Sequence, residues 1–519
     1  MKIRNKFIFL VLILLLNILL RIPSAPHEMG ADSFIQHILA NSLSENGYAR
    51  WWINIFSVFG LYPYSSPSAV AFSLSAISQT SNVQTEVVIW LYSVIIGILG
   101  CLAVYVLSGK IKNNEEFKIL LTFIYSISPG VLKYTTWEIS TRGPFVALLP
   151  LFLVILLKNM PGISGYIRKY LILILLFILL LSTHHLVYFI SIIILSYVIS
   201  KILYNKFIEF INKRGIIILF VFCYSFVIPF FTYLFIAHSR YEQFYVILRS
   251  YLRYVGLLLF FVPAGYVYLS LKNNKNFGEI LILIAIILIA PFMWIQVYSY
   301  WVANIFLTVV IAFALFNILK KLEDKGPINN TRKAACVVLI LSLILATSFS
   351  GFYQHWRTYI GKSPKTEWYT DEKTYEAAIW AKEYIDKTKR IVGNDDWITR
   401  RISAYSSVPA LIDYADVVVY TYGFVDISTT PIKRNSPLSI SFYIDNPYVI
   451  PSNFTRAGYY RSGLQLVEVD SYRAQSIISK FNLSYMIENR KIINVLTISV
   501  HKTKNCLYDN GKIRIWNLK

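Results

Sequence analysis

Apolar runs recur from about residue 7 to residue 350 of this 519-residue chain and then stop. Segments 171–181 and 280–290 contain no polar residue at all. A bilayer core of ~30 Å needs about 20 apolar residues per helix, and inside lipid each backbone polar group must be satisfied within its own segment. A mean hydropathy of +0.53 and a hydrophobic share of 56% exceed what a water-soluble core uses. The pattern predicts a polytopic α-helical membrane protein with about eleven transmembrane helices. The expected spans lie near 7–22, 86–108, 119–132, 144–157, 170–183, 186–200, 215–237, 254–271, 279–296, 300–319 and 334–350. Past residue 350 charge returns. The chain is therefore expected to divide into a membrane module, 1–350, and a C-terminal domain, 351–519.

The net charge of +22 raises the question of nucleic acid. Its distribution answers it. Of 27 Lys and Arg in residues 1–350, twenty fall in segments that alternate onto one side of the expected map, beginning with Lys2, Arg4 and Lys6. That is the positive-inside bias of a plasma-membrane protein, and no nucleic-acid partner is needed to explain it. The N-terminus is then cytoplasmic and the C-terminal domain extracytoplasmic. The first run resembles a signal peptide in length, but Pro26 follows the one cleavage-like pair, Ser24-Ala25, so an uncleaved anchor is expected. The four cysteines, Cys101, Cys223, Cys336 and Cys506, form no pair at metal-ligand spacing.

The loop 23–85 opens with HEMGADSFIQH, which places Glu28, Asp32 and His37 at a membrane exit. Phe34, Ile35, Ile38, Leu39 and Leu43 recur at helical spacing, predicting an amphipathic helix over 33–45; a second helix is expected from Pro67. Both are expected to lie on the outer surface, with Trp51, Trp52, Tyr62 and Tyr64 at the interface. Ser33-Phe-Ile-Gln36 fits a capping box. Ser33 is then the helix cap, and Asp32 has either a capping role of its own or a catalytic or metal-binding one. Glu28 and His37 read as exposed surface residues or as accessory groups.

The next outer loop carries one acid, Glu138, and then Arg142 at the membrane edge. Arg142 suits either snorkelling or a phosphate partner, since a guanidinium forks onto phosphate oxygens. Arg240, Arg249 and Arg253 break the charge rule on the outer side. An anionic ligand explains them; so does pairing with the C-terminal domain. Arg249 and Arg253 are four apart and share a helix face. His184 and His185 point about 100° apart on a helix and are a poor chelating pair; either structural packing or a reach toward Asp32 or Glu138 suits them.

A short first helix, a long outer loop with an acidic motif and two surface helices, a second acid in the next loop and an external C-terminal domain together resemble the GT-C superfamily of membrane glycosyltransferases, which includes protein mannosyltransferases and oligosaccharyltransferases. Gly30-Ala-Asp-Ser-Phe-Ile-Gln-His37, 61–67 and 128–150 carry the likeness. The resemblance implies a sugar donor linked to a polyprenyl phosphate or diphosphate and a glycan or protein acceptor. Asp32 is implied as catalytic carboxylate and Glu138 as second acid, both becoming metal ligands where a branch uses Mg or Mn. The arginines are implied on the donor phosphate. Oligosaccharyltransferases carry Trp-Trp-Asp in the external domain; here 394–397 reads Asn-Asp-Asp-Trp. The expectation is therefore single-sugar transfer rather than en bloc transfer, with a lipid-linked sugar flippase as the non-enzymatic rival. Asp395 and Asp396 read as a solvated loop, or face the acceptor.

The C-terminal domain reads as mixed α/β. Helices are expected over 371–386 and near 471–481. Strands are expected from Arg390, at 417–420 and at 485–488, with a final hairpin turning at Asn510-Gly511.

Overall fold

The computed structural model describes residues 3–62, 65–236, 240–295, 299–323, 330–359, 369–412, 418, 421–423, 433–434, 448–449 and 456–519. The chain forms two compact units. One comprises Met1–Ile22, Val94–Thr136 and Arg142–His355; the other comprises Pro23–Ser93, Trp137–Thr141 and Trp356–Lys519.

The first unit is helical. Among the described residues, five helices are long and apolar enough to cross a bilayer: Thr85–Ile111, Gly162–Thr183, His185–Lys213, Ser299–Lys320 and Lys333–Tyr353. The pair Tyr245–Val255 and Leu257–Leu271, bent by 107°, makes a sixth broken span. Shorter apolar helices run Lys6–Leu19, Arg142–Leu157, Gly215–Ile228 and Phe277–Ile289. Apolar helices fall at ten of the expected spans within the described residues; the one at 119–132 meets Glu115–Ser126, a 12-residue helix with two acids in its first turn. The protein is thus a multi-pass membrane protein.

Burial separates the roles of these helices. Ser299–Lys320 is 83% buried and forms the centre, with Phe306, Val309, Val310 and Phe313 sealed from solvent. A helix that is apolar all round belongs in such a core. Gly162–Thr183 is only 11% buried, and Leu171, Ile174 and Leu175 stand more than half exposed. Lipid is the solvent that such a ridge tolerates. Two buried polar clusters pin the interior. Arg21 donates to Thr135 Oγ1 at 2.7 Å and to the Asn17 carbonyl at 2.9 Å. Asn304 donates to Ser128 Oγ at 3.0 Å.

The second unit contains a five-stranded sheet of β1 (Arg390–Gly393), β2 (Ala410–Leu411), β3 (Leu483–Asn489), β4 (Cys506–Asp509) and β5 (Ile513–Asn517). The spatial order is β2-β1-β3-β5-β4. β1 runs parallel to β2 and β3, and the hairpin β4–β5 closes the edge antiparallel. Side chains alternate between faces with the period of two that a strand imposes. Ile391, Ile487 and Ile515 pack beneath helices Glu372–Tyr384 and Asp396–Ser406. Val392, Met486 and Trp516 pack on the opposite side against Ile477, Leu496 and Val500. The expected helices and hairpin are present; Gly511 takes φ +83 in the turn. Of the strand expected at 417–420, only Val418 is described, and it is helical.

The first-loop helix, Ala31–Asn46, belongs to this second unit. Phe34, Ile38, Leu39 and Leu43 join the core under β1, β3 and β5, while Ala40 packs with Val70, Leu74, Val88 and Ile139. Both sides of the helix are covered, so it is not the one-sided surface helix that its period suggests. Trp51 is likewise fully buried, contrary to its expected interfacial place, and shares the acceptor Ser68 Oγ with Trp52.

One glycine tests the membrane core. A Cβ on Gly265 would press into the Val310 carbonyl of the central helix. Small residues permit such close helix approach. Gly265→Leu is expected to cost about 2 kcal/mol or more through overpacking. Thermal aggregation in detergent, followed by fluorescence-detected size exclusion, should show a lowered midpoint.

Candidate active site

Two loop segments far apart in sequence are sewn together in the second unit. Met29 N–H donates to the Trp137 carbonyl at 3.0 Å. Ile139 N–H donates to Ser33 Oγ at 3.2 Å, and Ser140 Oγ donates to Asp32 Oδ2 at 3.0 Å. The Trp137 indole donates to the Glu86 carbonyl at 3.0 Å. Segment 137–141 therefore lies along the entrance of the first-loop helix, and Glu138 arrives beside Asp32's turn.

Gly30 makes room for that arrival. It stands before the helix at φ +85, a conformation that L side chains avoid. A Cβ there would meet the Glu138 side chain, 3.0 Å from its Oε1. Asp32 is the second residue of the helix and half-buried; Glu138 is 1% exposed. Both acids sit where the helix dipole and unfilled N–H groups favour negative charge. The helix begins two residues earlier than expected, so Ser33 is not its cap. Its hydroxyl is spent on the second loop, and no side chain caps this helix.

Glu28 and His37 are not surface residues. Glu28 is fully buried and His37 is 4% exposed. His37 Nδ1 lies 2.6 Å from Glu28 Oε2, and the other Glu28 oxygen has no hydrogen-bond partner among the described residues. The Glu28 backbone is used on both sides: its N–H donates to Glu86 Oε1 at 3.0 Å and its carbonyl accepts from Thr370 N–H at 3.2 Å. Glu86 also accepts from Tyr405 Oη at 3.0 Å and meets His27 Nδ1 at 3.2 Å. His27 Nε2 reaches Glu372 Oε2 at 3.3 Å, and its ring stacks on Tyr375 at 3.9 Å. Sequence reading missed Glu86, Tyr405, Ser140 and Gly30. Glu86 was visible only as the lone acid closing the first loop.

The other expected residues divide as follows. Arg142, Arg240, Arg249, Arg253, His184 and His185 belong to the first unit. Arg142 begins a helix and donates to Tyr134 Oη at 3.3 Å. Arg240, Arg249 and Arg253 lie on one helix, Arg240–Val255, with Arg249 exposed and Arg253 half-buried; for Arg240 the backbone alone is described. His184 is buried, its Nδ1 accepts from Leu186 N–H at 3.0 Å, and its ring lies 3.8 Å from that of His185. The Asp395-Asp396 stretch is not a solvated loop. Asp395 is 7% exposed, caps helix Asp396–Ser406 and accepts from Asn489 Nδ2 at 2.8 Å; Asp396 pairs with Arg400 at 2.7 Å. Among the described residues no three His, Cys, Asp or Glu side chains converge as a metal cage.

No protein-family model and no curated protein matches this chain. Solved structures do. An oligosaccharyltransferase from Archaeoglobus fulgidus, AglB, superposes with a TM-score of 0.61 at 14% identity, over 94% of this chain and 70% of that one. The same protein has been solved with an inhibitory peptide and a dolichol-phosphate, and with Zn and sulfate. ArnT from Cupriavidus metallidurans, bound to undecaprenyl phosphate, matches at 0.55 and 11% identity over 99% of this chain and 98% of that one. The arabinofuranosyltransferase AftD from Mycobacteria matches at 0.52 and 11%, over the whole of this chain and 42% of its own. At such identities the likeness is one of fold.

Two predictions follow from this geometry. Gly30→Ala forces both the backbone and Glu138 to move, at a cost of about 1–3 kcal/mol; a lowered thermal midpoint in nanodiscs checks it. Burial works against a charged His27, but its bonds to Glu86 and Glu372 outweigh that and lift its pKa above the ordinary 6.5. Stability from this group is full below 6.5 and is lost as pH rises through the higher folded-state value. Tyr375 and Tyr405, also facing the ring, stay neutral through that window, since burial raises both. The midpoint should fall across this window in the native protein and fall less in His27→Gln.

Proposed function

We propose that this chain, built on the fold of the GT-C membrane glycosyltransferases, transfers a single sugar from a polyprenyl-phosphate-linked donor to a glycan or protein acceptor at the outer face of the cell membrane. The N-terminus lies on the cytoplasmic side and the sheet-bearing unit outside, as the charge asymmetry supports. The observation that carries the reading is the second loop laid on the start of the first-loop helix: Glu138 lies against Gly30, two residues before Asp32, and Ser140 donates to Asp32. A chain whose acids served only to cap helices would not need a second loop brought onto the first.

In this reading Asp32 takes the proton from the acceptor's nucleophile as the acceptor bonds to the anomeric carbon. The bond from that carbon to the phosphate oxygen breaks, and the lipid phosphate leaves with its charge. A carboxylate within hydrogen-bond reach of the acceptor performs this role; Ser140 orients it. Arg142, with Arg240, Arg249 and Arg253, is assigned to the donor phosphate, where guanidinium forks match oxyanion geometry. Mg or Mn is compatible with the donor set, because such ions accept one or two carboxylates and complete their shell with water and phosphate. Asp32 and Glu138 would hold the ion, which would supply positive charge to the departing phosphate.

Asp32→Asn and Glu138→Gln should lower transfer by about a hundredfold or more in membranes supplied with lipid-linked donor. Normal transfer by both variants at normal protein level would overturn the assignment. Transfer of a preassembled oligosaccharide in one step would favour the oligosaccharyltransferase reading, and lipid-linked sugar crossing the membrane without transfer would favour the flippase.

A further inference from the structure

A cleft of about 410 Å³ opens in the second unit between the first-loop helix, the junction of helices Ala69–Ser81 and Thr85–Ile111, and helices Glu372–Tyr384 and Asp396–Ser406. That volume lies within the range of about 300–1,000 Å³ in which small-molecule sites fall. Its floor is made by His37, Glu86 and Tyr405, all buried, and its rim by exposed Gln79, Asn82 and Gln84. Val83 and Ile379 are its only aliphatic residues, so it does not suit a lipid chain.

The cleft carries no excess of positive charge: its lysines, Lys382 and Lys387, are matched by Glu45 and Glu86, and no arginine lines it. Glu45 is paired with Lys387 at 2.6 Å and Glu86 with His27 at 3.2 Å. The rest of the wall is mainly hydroxyls and amides with two tyrosines. Such groups both donate and accept, as a ligand made of hydroxyls requires.

His37 points to the ligand class directly. Its Nδ1 is held by Glu28 Oε2 at 2.6 Å. Nε2, the other polar atom of this 4%-exposed side chain, makes no hydrogen bond among the described residues, and the residue lines the cleft. An imidazole anchored at one nitrogen, on the floor of a polar cleft, is a partner for a hydroxyl, which both donates and accepts. His37 follows Asp32 by five residues on the same helix, about 7.5 Å along its axis.

We infer that this cleft is a saccharide-binding subsite, with His37 Nε2 hydrogen-bonded to a sugar hydroxyl and Gln79 and Gln84 gripping the rim. It deepens the transferase reading by naming where a sugar next to the reacting one is held.

The test uses the full chain in nanodiscs. The probe is the pool of oligosaccharides released from the cells' own surface glycoconjugates, read by saturation-transfer NMR with no lipid donor present. Native protein should saturate sugar protons. Ser44→Trp, which fills the cleft, and the milder Gln79→Ala/Gln84→Ala should weaken binding about tenfold, the loss of two neutral hydrogen bonds. No saturation in native protein, or equal saturation in both variants, overturns the proposal. Saturation of acetyl-Asn-Ala-Thr-amide in place of the sugars, abolished by Ser44→Trp, overturns the saccharide class. In the transfer assay, a raised KM for acceptor or for donor says which substrate contributes the sugar; neither rising overturns a role in transfer. Because binding is read without donor and also in Asp32→Asn, failure of the catalytic assignment leaves this measurement intact.

Discussion

The structure turns on the hydrogen bonds that fasten residues 137–141 to the start of the first-loop helix. Buried backbone groups must find partners. Met29 and Ile139 find theirs across more than a hundred residues of chain, and Ser33 and Ser140 complete the seam. Closing so long a loop costs only slightly more than closing a short one, because the entropy grows with the logarithm of length. The seam brings the Glu138 side chain against Gly30 and Ser140 onto Asp32, two residues further along the same helix start.

A second consequence runs through Glu86. One carboxylate receives the Glu28 N–H, the Tyr405 hydroxyl and His27. Those groups come from the first loop and from the helix Asp396–Ser406, while Glu86 itself starts the long helix Thr85–Ile111. Three partners on Glu86 Oε1 offset part of the cost of burying its charge. The network fixes the approach of the first-loop helix to the C-terminal helices, and with it the cleft that His37 faces.

Much of the architecture was legible in the residues. Apolar runs marked each membrane helix, because hydrocarbon admits only a backbone that satisfies itself. Asp32 and Glu138 stood out as acids without an evident local task. The departures share one cause. The spacing of Ser33 fits a cap, yet its hydroxyl serves Ile139. A surface place suits Glu28, His37 and Asp395 by composition alone, yet each is buried with a partner distant in sequence or on another element. Local pattern cannot reveal a partner brought in by tertiary packing.

The sequence by itself determined where the long apolar helices lie, the strand alternation of the sheet and the hairpin at Asn510-Gly511. These depend on distances of a few residues, where helix period, strand period and bilayer thickness act directly. Tertiary structure decided that the first-loop helix is buried on both sides, that Gly30 must lack a side chain and that Glu28 holds His37. Those outcomes depend on which surfaces meet once apolar area is removed from water, a condition that no single stretch of sequence contains.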